Sequence, residues 1–153
     1  MESPRYYSHV LIIGSGLAGC SAALTLADQG CEVSLLTPLE SLDGGNSERA
    51  QGGIVFSTGR EDQRALEKDM YIAGHRYNFG KAVRYLATQG GEAVQSMLVD
   101  RLHVPFDRDP EHPDRWDFTL EGGHSAPRIV HCADYTGKAI MDALHDAVLR
   151  HPR

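Results

Sequence analysis

An apolar run ending in closely spaced glycines constrains this chain more than any other feature. Val10-Leu11-Ile12-Ile13 leads directly into Gly14-Ser15-Gly16-Leu17-Ala18-Gly19. Residues 8–13 are short, apolar and β-branched, the pattern of a fully buried strand. Residues 17–29 carry Leu17, Cys20, Ala23, Leu24 and Ala27 at helical spacing, and Gly30 is a natural stop. Residues 32–37 read as a second strand that Pro38 ends. Strand, helix and strand in so short a stretch make a βαβ unit, whose strands are parallel neighbours.

The remainder is less regular. Residues 38–60 are rich in Gly, Ser and Asn without periodicity, which predicts an extended loop long enough to be functional. A helix is predicted over 61–74, with Ala65, Leu66, Met70 and Ala73 on one side. A second is predicted over 80–102, broken at Gly90-Gly91, because a glycine inside a helix costs about 1 kcal/mol. Pro105, Pro110 and Pro113 punctuate residues 103–120. Residues 104–106 and 116–120 are expected to be short edge strands around a turn at 110–115. Residues 121–127 form another loop, 128–131 a short strand, and 136–150 a helix. That helix carries Ala139, Ile140, Ala143, Leu144, Ala147 and Val148 on its apolar side. There is no internal repeat, low-complexity tract or linker. The expected class is α/β, a Rossmann-like domain with a parallel βαβ start. The closing helix and His151-Pro152-Arg153 prepare another strand, so we expect a truncated sheet and a longer parent protein.

The chain's 153 residues suffice for one domain with a core. The net charge of −6 gives no electrostatic reason to expect nucleic acid or an anionic membrane as partner. No apolar run approaches the ~20 residues that span a bilayer. The opening Met1-Glu2-Ser3-Pro4-Arg5 lacks a signal-peptide layout, so the cytoplasm is the expected location. Cys20, Cys31 and Cys132 include no Cys-x-x-Cys pair and are expected to be reduced thiols, buried for the most part. His9, His75, His103, His112, His145 and His151 have no metal-ligand spacing; they are expected to be surface or satisfied histidines, and no metal site is expected.

The first glycine turn has a specific chemistry. A pyrophosphate carries charge that backbone N–H groups and a helix N-terminus meet without bulky side chains. The first glycine makes the tight turn, the second admits the phosphates, and the third lets helix pack on strand. Gly14, Gly16 and Gly19 fill those places, with a strand before and a helix after. The acid that grips a ribose in ordinary NAD dehydrogenases is missing: the second strand ends Leu36-Thr37-Pro38, leaving Thr37 to make one weaker hydrogen bond. A second bare stretch, Gly44-Gly45-Asn46-Ser47 with Ala50-Gln51-Gly52-Gly53, suits a backbone lying flat against a planar ring. Backbone amides near a flavin N5 tune its electronics. A flexible surface loop is the other meaning of that composition.

At this point the motifs carry a resemblance. Gly-Ser-Gly-x-Ala-Gly, then Ala-Gln-Gly-Gly-Ile, then Glu-Gly-Gly-His-Ser with Arg-Ile-x-His and Ala-Asp-x-Thr-Gly resembles the L-aspartate oxidase branch of the succinate dehydrogenase/fumarate reductase flavoprotein family. The resemblance spans residues 8 to 150. The first motif is shared by many flavoproteins, whereas that at 50–54 is specific to the family. The stretch 121–125 with Arg128 and His131 points to the aspartate oxidase branch.

The resemblance implies that Gly14, Ser15, Gly16, Leu17, Ala18 and Gly19 hold the FAD pyrophosphate. It implies that Asn46, Ser47, Glu48, Arg49, Ala50, Gln51, Gly52 and Gly53 line the flavin. In membrane-bound relatives a histidine of this loop bonds covalently to the flavin; here Asn46 stands five residues before Gln51, which implies noncovalent FAD. Similar oxidases place a lysine after the second strand, where this chain has Pro38. Glu121 is implied to orient L-aspartate through its cationic amine. His124 and Arg128 are left between supporting that loop and supporting the flavin; His131 is expected to pack and hydrogen-bond. The implied reaction is oxidation of L-aspartate to iminoaspartate at the entry to NAD biosynthesis. Oxygen or fumarate is the implied acceptor, and quinolinate synthase a partner. The main catalytic arginines and histidines, a capping domain and a C-terminal helical domain are expected outside residues 1–153, leaving this stretch alone inactive and a poor FAD binder. A fumarate reductase-type flavoprotein piece and a non-catalytic nucleotide-binding module are the alternatives.

Overall fold

The computed structural model describes residues 8–42 and 44–153. In chain order the elements are β1 (Val10–Ile13), α1 (Leu17–Asp28), β2 (Val33–Leu36), β3 (Ile54–Val55), α2 (Gly59–Ala73), α3 (Gly80–Ala93), β4 (Ile129–Val130) and α4 (Thr136–Arg150). They fall into two compact units, residues 8–50 with Gly137–Arg153, and Gln51–Thr136.

In the first unit β1 and β2 pair in parallel, Val10 opposite Val33 and Ile13 opposite Leu36, as the βαβ pattern requires. α1 joins them and buries Cys20, Ala23, Leu24 and Ala27. It stops where expected, the chain turning at Gly30 with φ +89°. α4 buries Ala139, Ile140, Met141 and Leu144. Fully buried leucines such as Leu24 and Leu144 contribute about 1.5–3 kcal/mol each. Beyond α4, the Val33 N–H donates to the Arg153 carbonyl (2.9 Å). One expectation fails here. β1 is not buried on both faces: Leu11 is 60% and Ile13 77% exposed, and Leu36 of β2 stands out with them. Strand side chains alternate, and α1 lies against only one face of the pair.

In the second unit α2 and α3 form an antiparallel hairpin with buried Leu66, Val83 and Ala87. His75 and Arg76, both left-handed, make its turn. The expected break at Gly90-Gly91 does not exist: α3 runs straight through both and continues as wider π-helical turns over Val94–Arg101. Gly91 is small for a packing reason. A Cβ there would lie 2.1 Å from the Ser57 carbonyl oxygen. The expected loop at 38–60 contains β3, which pairs antiparallel with β4, Ile54 opposite Val130. Two residues are too few to show a period. The edge strands expected at 104–106 and 116–120 reduce to isolated bridges, Arg108 with Trp116 and Thr119 with Ile129. Prolines without an N–H interrupt any longer ladder there. Phe106 packs edge-on against Trp116, and the Arg108 guanidinium sits 3.3 Å above the Trp116 ring.

Candidate functional site

The glycine turn of the first unit is built as its pattern demands. The Gly14 N–H donates to the Leu36 carbonyl (2.8 Å), tying the turn to the end of β2. Gly14 takes φ +110°, and a Cβ on Gly19 would stand 1.9 Å from the Gly14 oxygen. Only glycine lets α1 approach β1 this closely. No carboxylate lies in the first turn of α1 and no side chain caps Gly16. Apart from the Leu17 N–H, which Ser47 Oγ accepts, the first-turn N–H groups and the partial positive charge of the helix face an anion with no acid competing for them. Leu17 and Ala18 open the helix, Leu17 half-buried and Ala18 exposed.

Ser15 and Thr37 meet. The buried Ser15 hydroxyl donates to Thr37 Oγ1 (3.0 Å), which also accepts from the Leu39 N–H (3.3 Å). The carbonyl of Ser15 accepts the Cys20 thiol (3.2 Å) and lies 3.2 Å from His145 Nε2. The second loop reaches the same turn through Ser47, whose Oγ accepts from the Leu17 N–H (3.3 Å). The Gly137 N–H donates to the Ala50 carbonyl (2.9 Å), and a Cβ at Gly137 would fall 2.2 Å from the Ser47 oxygen. Glu48 accepts from the Gly44 N–H and faces Lys138 at 4.0 Å, while Asn46 and Arg49 lie exposed or partly so.

In the second unit Gln51, Gly52 and Gly53 are exposed backbone, and Glu121 comes to them. Glu121 Oε1 accepts from the Gly53 N–H (3.3 Å). The loop carrying Glu121 closes through His124 N–H to the Glu121 carbonyl (3.2 Å), with Gly123 left-handed at φ +86°. Beside it lies Arg128, 1% exposed. Its Nε donates to Asp62 (2.8 Å), and its Nη1 donates to Asp69 (2.8 Å) and lies 2.9 Å from His124 Nδ1. Guanidinium nitrogens donate only, so in this contact His124 Nδ1 is the acceptor. Arg128 Nη2 is buried without a hydrogen-bond partner among the described residues. Burial works to raise the Asp69 carboxyl, but the Ser125 backbone N–H, Arg128 and the Ser125 hydroxyl outweigh it and hold it below the ordinary carboxylate range.

His131 stands between two acids: its Nδ1 lies 3.0 Å from Asp107, while its Nε2, 3.6 Å from Asp117, is buried without a hydrogen-bond partner among the described residues. No cluster of metal-ligating side chains occurs among the described residues. A groove of about 720 Å³ runs along α2, lined by Arg64, Glu67, Lys68, Tyr71, Ile72 and Arg76. It holds none of the residues expected to bind cofactor or substrate. No helix of the described residues is long and apolar enough to cross a membrane.

The family model described as FAD binding domain matches residues 9–153. The chain belongs to this FAD-binding family. FAD is thus its cofactor, and the acid-free start of α1 fits the pyrophosphate of that molecule. Among curated proteins, the chain is 39% identical to L-aspartate oxidase of Halobacterium salinarum over 86% of this chain and 25% of the relative. It is 40% identical to L-aspartate oxidase of Vibrio cholerae over 94% of this chain and 27% of the relative. The chain therefore spans about a quarter of the length of the curated relatives it matches. In fold it is similar to an Escherichia coli quinol fumarate reductase chain, with TM-score 0.82, 19% identity, and coverage of 96% of this chain and 25% of that one. A flavocytochrome c3 fumarate reductase in its open conformation gives TM-score 0.77 and 26% identity, with coverage of 97% and 26%.

Three supporting residues of this FAD-binding chain escaped sequence reasoning. Gly137 and His145 brace the two glycine stretches from α4, and Asp69 braces the Glu121 loop from α2. The Thr136-Gly137 pair opening a helix was the one available signal for Gly137. Nothing local marks Asp69, because its partners lie 56 and 59 positions away.

Proposed function

We propose that this chain is the N-terminal part of the FAD-binding domain of an L-aspartate oxidase, which converts L-aspartate to iminoaspartate at the entry to NAD biosynthesis. The observation that carries this reading is the Glu121 carboxyl group at the Gly52-Gly53 backbone (3.3 Å from the Gly53 N–H). The similarity to L-aspartate oxidases of two distant organisms supports it. FAD, when bound, supplies a hydride acceptor. The residues of this chain do the holding. Gly14, Ser15, Gly16, Leu17, Ala18 and Gly19 offer main-chain donors and the α1 dipole to the pyrophosphate, with Thr37 beside them for the ribose side. The 46–53 stretch offers bare backbone to the flavin ring, and Asn46 in place of a histidine leaves FAD noncovalent.

Glu121 does the choosing. A carboxyl group beside the flavin-lining backbone attracts an ammonium and repels a plain dicarboxylate, which selects an amino-dicarboxylate over succinate. Oxygen or fumarate then reoxidises the enzyme, and the product passes to quinolinate synthase. The arginines that clamp the two carboxylates are placed by this reading in a capping domain and later segments. Glu121→Gln in the protein that carries this chain tests the assignment. Aspartate oxidation is expected to lose at least about tenfold in kcat/KM, the size of a charge-assisted hydrogen bond, while fumarate reduction falls far less or improves as the repulsion is removed. Equal losses in the two directions would contradict it.

A further inference from the structure

We infer that Asp69 on α2 is a positioning residue for Glu121, holding the substrate-recognition loop in place through Ser125. This rests on the proposed role of Glu121 in recognising the substrate amine. The geometry is unusually one-sided. A single oxygen, Asp69 Oδ2, accepts the Ser125 backbone N–H, the Ser125 hydroxyl and Arg128 Nη1, each at 2.8 Å. Asp69 is 6% exposed, so these bonds form away from competing water. Ser125 is the neighbour of His124, whose N–H closes the turn on the Glu121 carbonyl. The loop is gripped a second time at that residue, by Arg128 Nη1 at His124 Nδ1. Glu121 thus projects from a turn whose far end is fastened at two adjacent residues to buried charge, and its own Oε1 rests on Gly53.

Asp62 provides the control that the molecule itself contains. It also pairs with Arg128, at 2.8 Å, but no hydrogen bond joins it to the 121–125 loop among the described residues. Asp62 and Asp69 therefore share the work of neutralising the buried guanidinium, and of the two only Asp69 is itself hydrogen-bonded to the loop. A purely structural role predicts like consequences for the two acids.

The test compares Asp62→Asn, Asp69→Asn and Ser125→Ala in the flavin-loaded full-length protein, by steady-state kinetics with aspartate and by hydrogen exchange of the 121–125 amides. Asp69→Asn is expected to raise KM for aspartate roughly tenfold with a smaller change in kcat, and to speed exchange of the loop; a weakened grip costs binding geometry first. Ser125→Ala, a gentler change that keeps the backbone bond, is expected to move both readouts in the same direction by roughly a few-fold. Asp62→Asn is expected to lower the melting temperature while leaving loop exchange and KM near the parent values. Loop exchange that rises equally in both acid variants, or in neither, overturns the inference whatever KM does. Fast exchange in Asp69→Asn and Ser125→Ala with an unchanged KM upholds the grip on the loop and instead contradicts the role of Glu121 in substrate recognition.

Discussion

Gly19 is where one atom decides whether α1 can pack on β1, and on the proposed function whether the cofactor has a seat. A methyl group there would overlap the Gly14 carbonyl at 1.9 Å, and neither α1 nor β1 can retreat without opening the turn. Gly19→Ala is expected to destabilise the first unit by about 1–3 kcal/mol, the usual scale of overpacking, and to abolish tight FAD binding in a fluorescence titration. At Asp69 the consequence is electrostatic. Its folded-state carboxyl is lowered relative to an unfolded aspartate near about 3.9, so the unfolded chain takes up the proton first. The stability it contributes is present above that value and is lost as the pH falls through the lowered one. Urea midpoints measured from about pH 7 down to about pH 3 should therefore fall less steeply in Asp69→Asn than in the parent. The thiols differ in the same readable way. Burial, aided by the Asp107 charge, pushes Cys132 up to about 11, and its Sγ–H is engaged with the Pro105 carbonyl (3.2 Å). Burial also raises Cys20, whereas Cys31 is partly exposed. Maleimide at about pH 8 is expected to label Cys31 first and to reach Cys20 and Cys132 only on unfolding.

At the scale of elements, α3 separates two glycines that the sequence presents as equals. A methyl group added to Gly90 would meet nothing within 4 Å, while one on Gly91 would run into the Ser57 oxygen. Gly90→Ala is expected to stabilise the protein by about 0.5–1 kcal/mol through helix propensity, and Gly91→Ala to destabilise it despite the same propensity gain. Denaturant titration of both variants reads the difference directly. The pair also illustrates how far the sequence could be read. β1, α1, β2 and the turn between them were legible because the periodicity is local and Gly14, Gly16 and Gly19 each have a steric duty. The continuity of α3 was not, because the reason for Gly91 is the carbonyl of Ser57, far away along the chain. β3 and β4 were hidden by their brevity, and the exposed side of β1 was hidden because an apolar run looks the same whether one face or both are covered. At the site, the glycines and Glu121 were legible as motifs. Asp69, Gly137 and His145 were not, since their meaning lies entirely in what folding brings to them.

For the whole molecule, the proposed function makes the cofactor's seat of main chain rather than charged side groups and gives Glu121 the choice of substrate. Because Asn46 offers no imidazole, all flavin is expected to leave the protein on acid precipitation, whereas a yellow pellet would mean a covalent link. The seat itself is best probed by calorimetric titration of FAD into the flavin-stripped protein that carries this chain, beside its Gly19→Ala variant. One FAD per chain is expected for the parent, and no measurable heat of binding for the variant. A parent that ignores FAD, or a variant that binds it as tightly as the parent, would contradict a seat built from bare backbone.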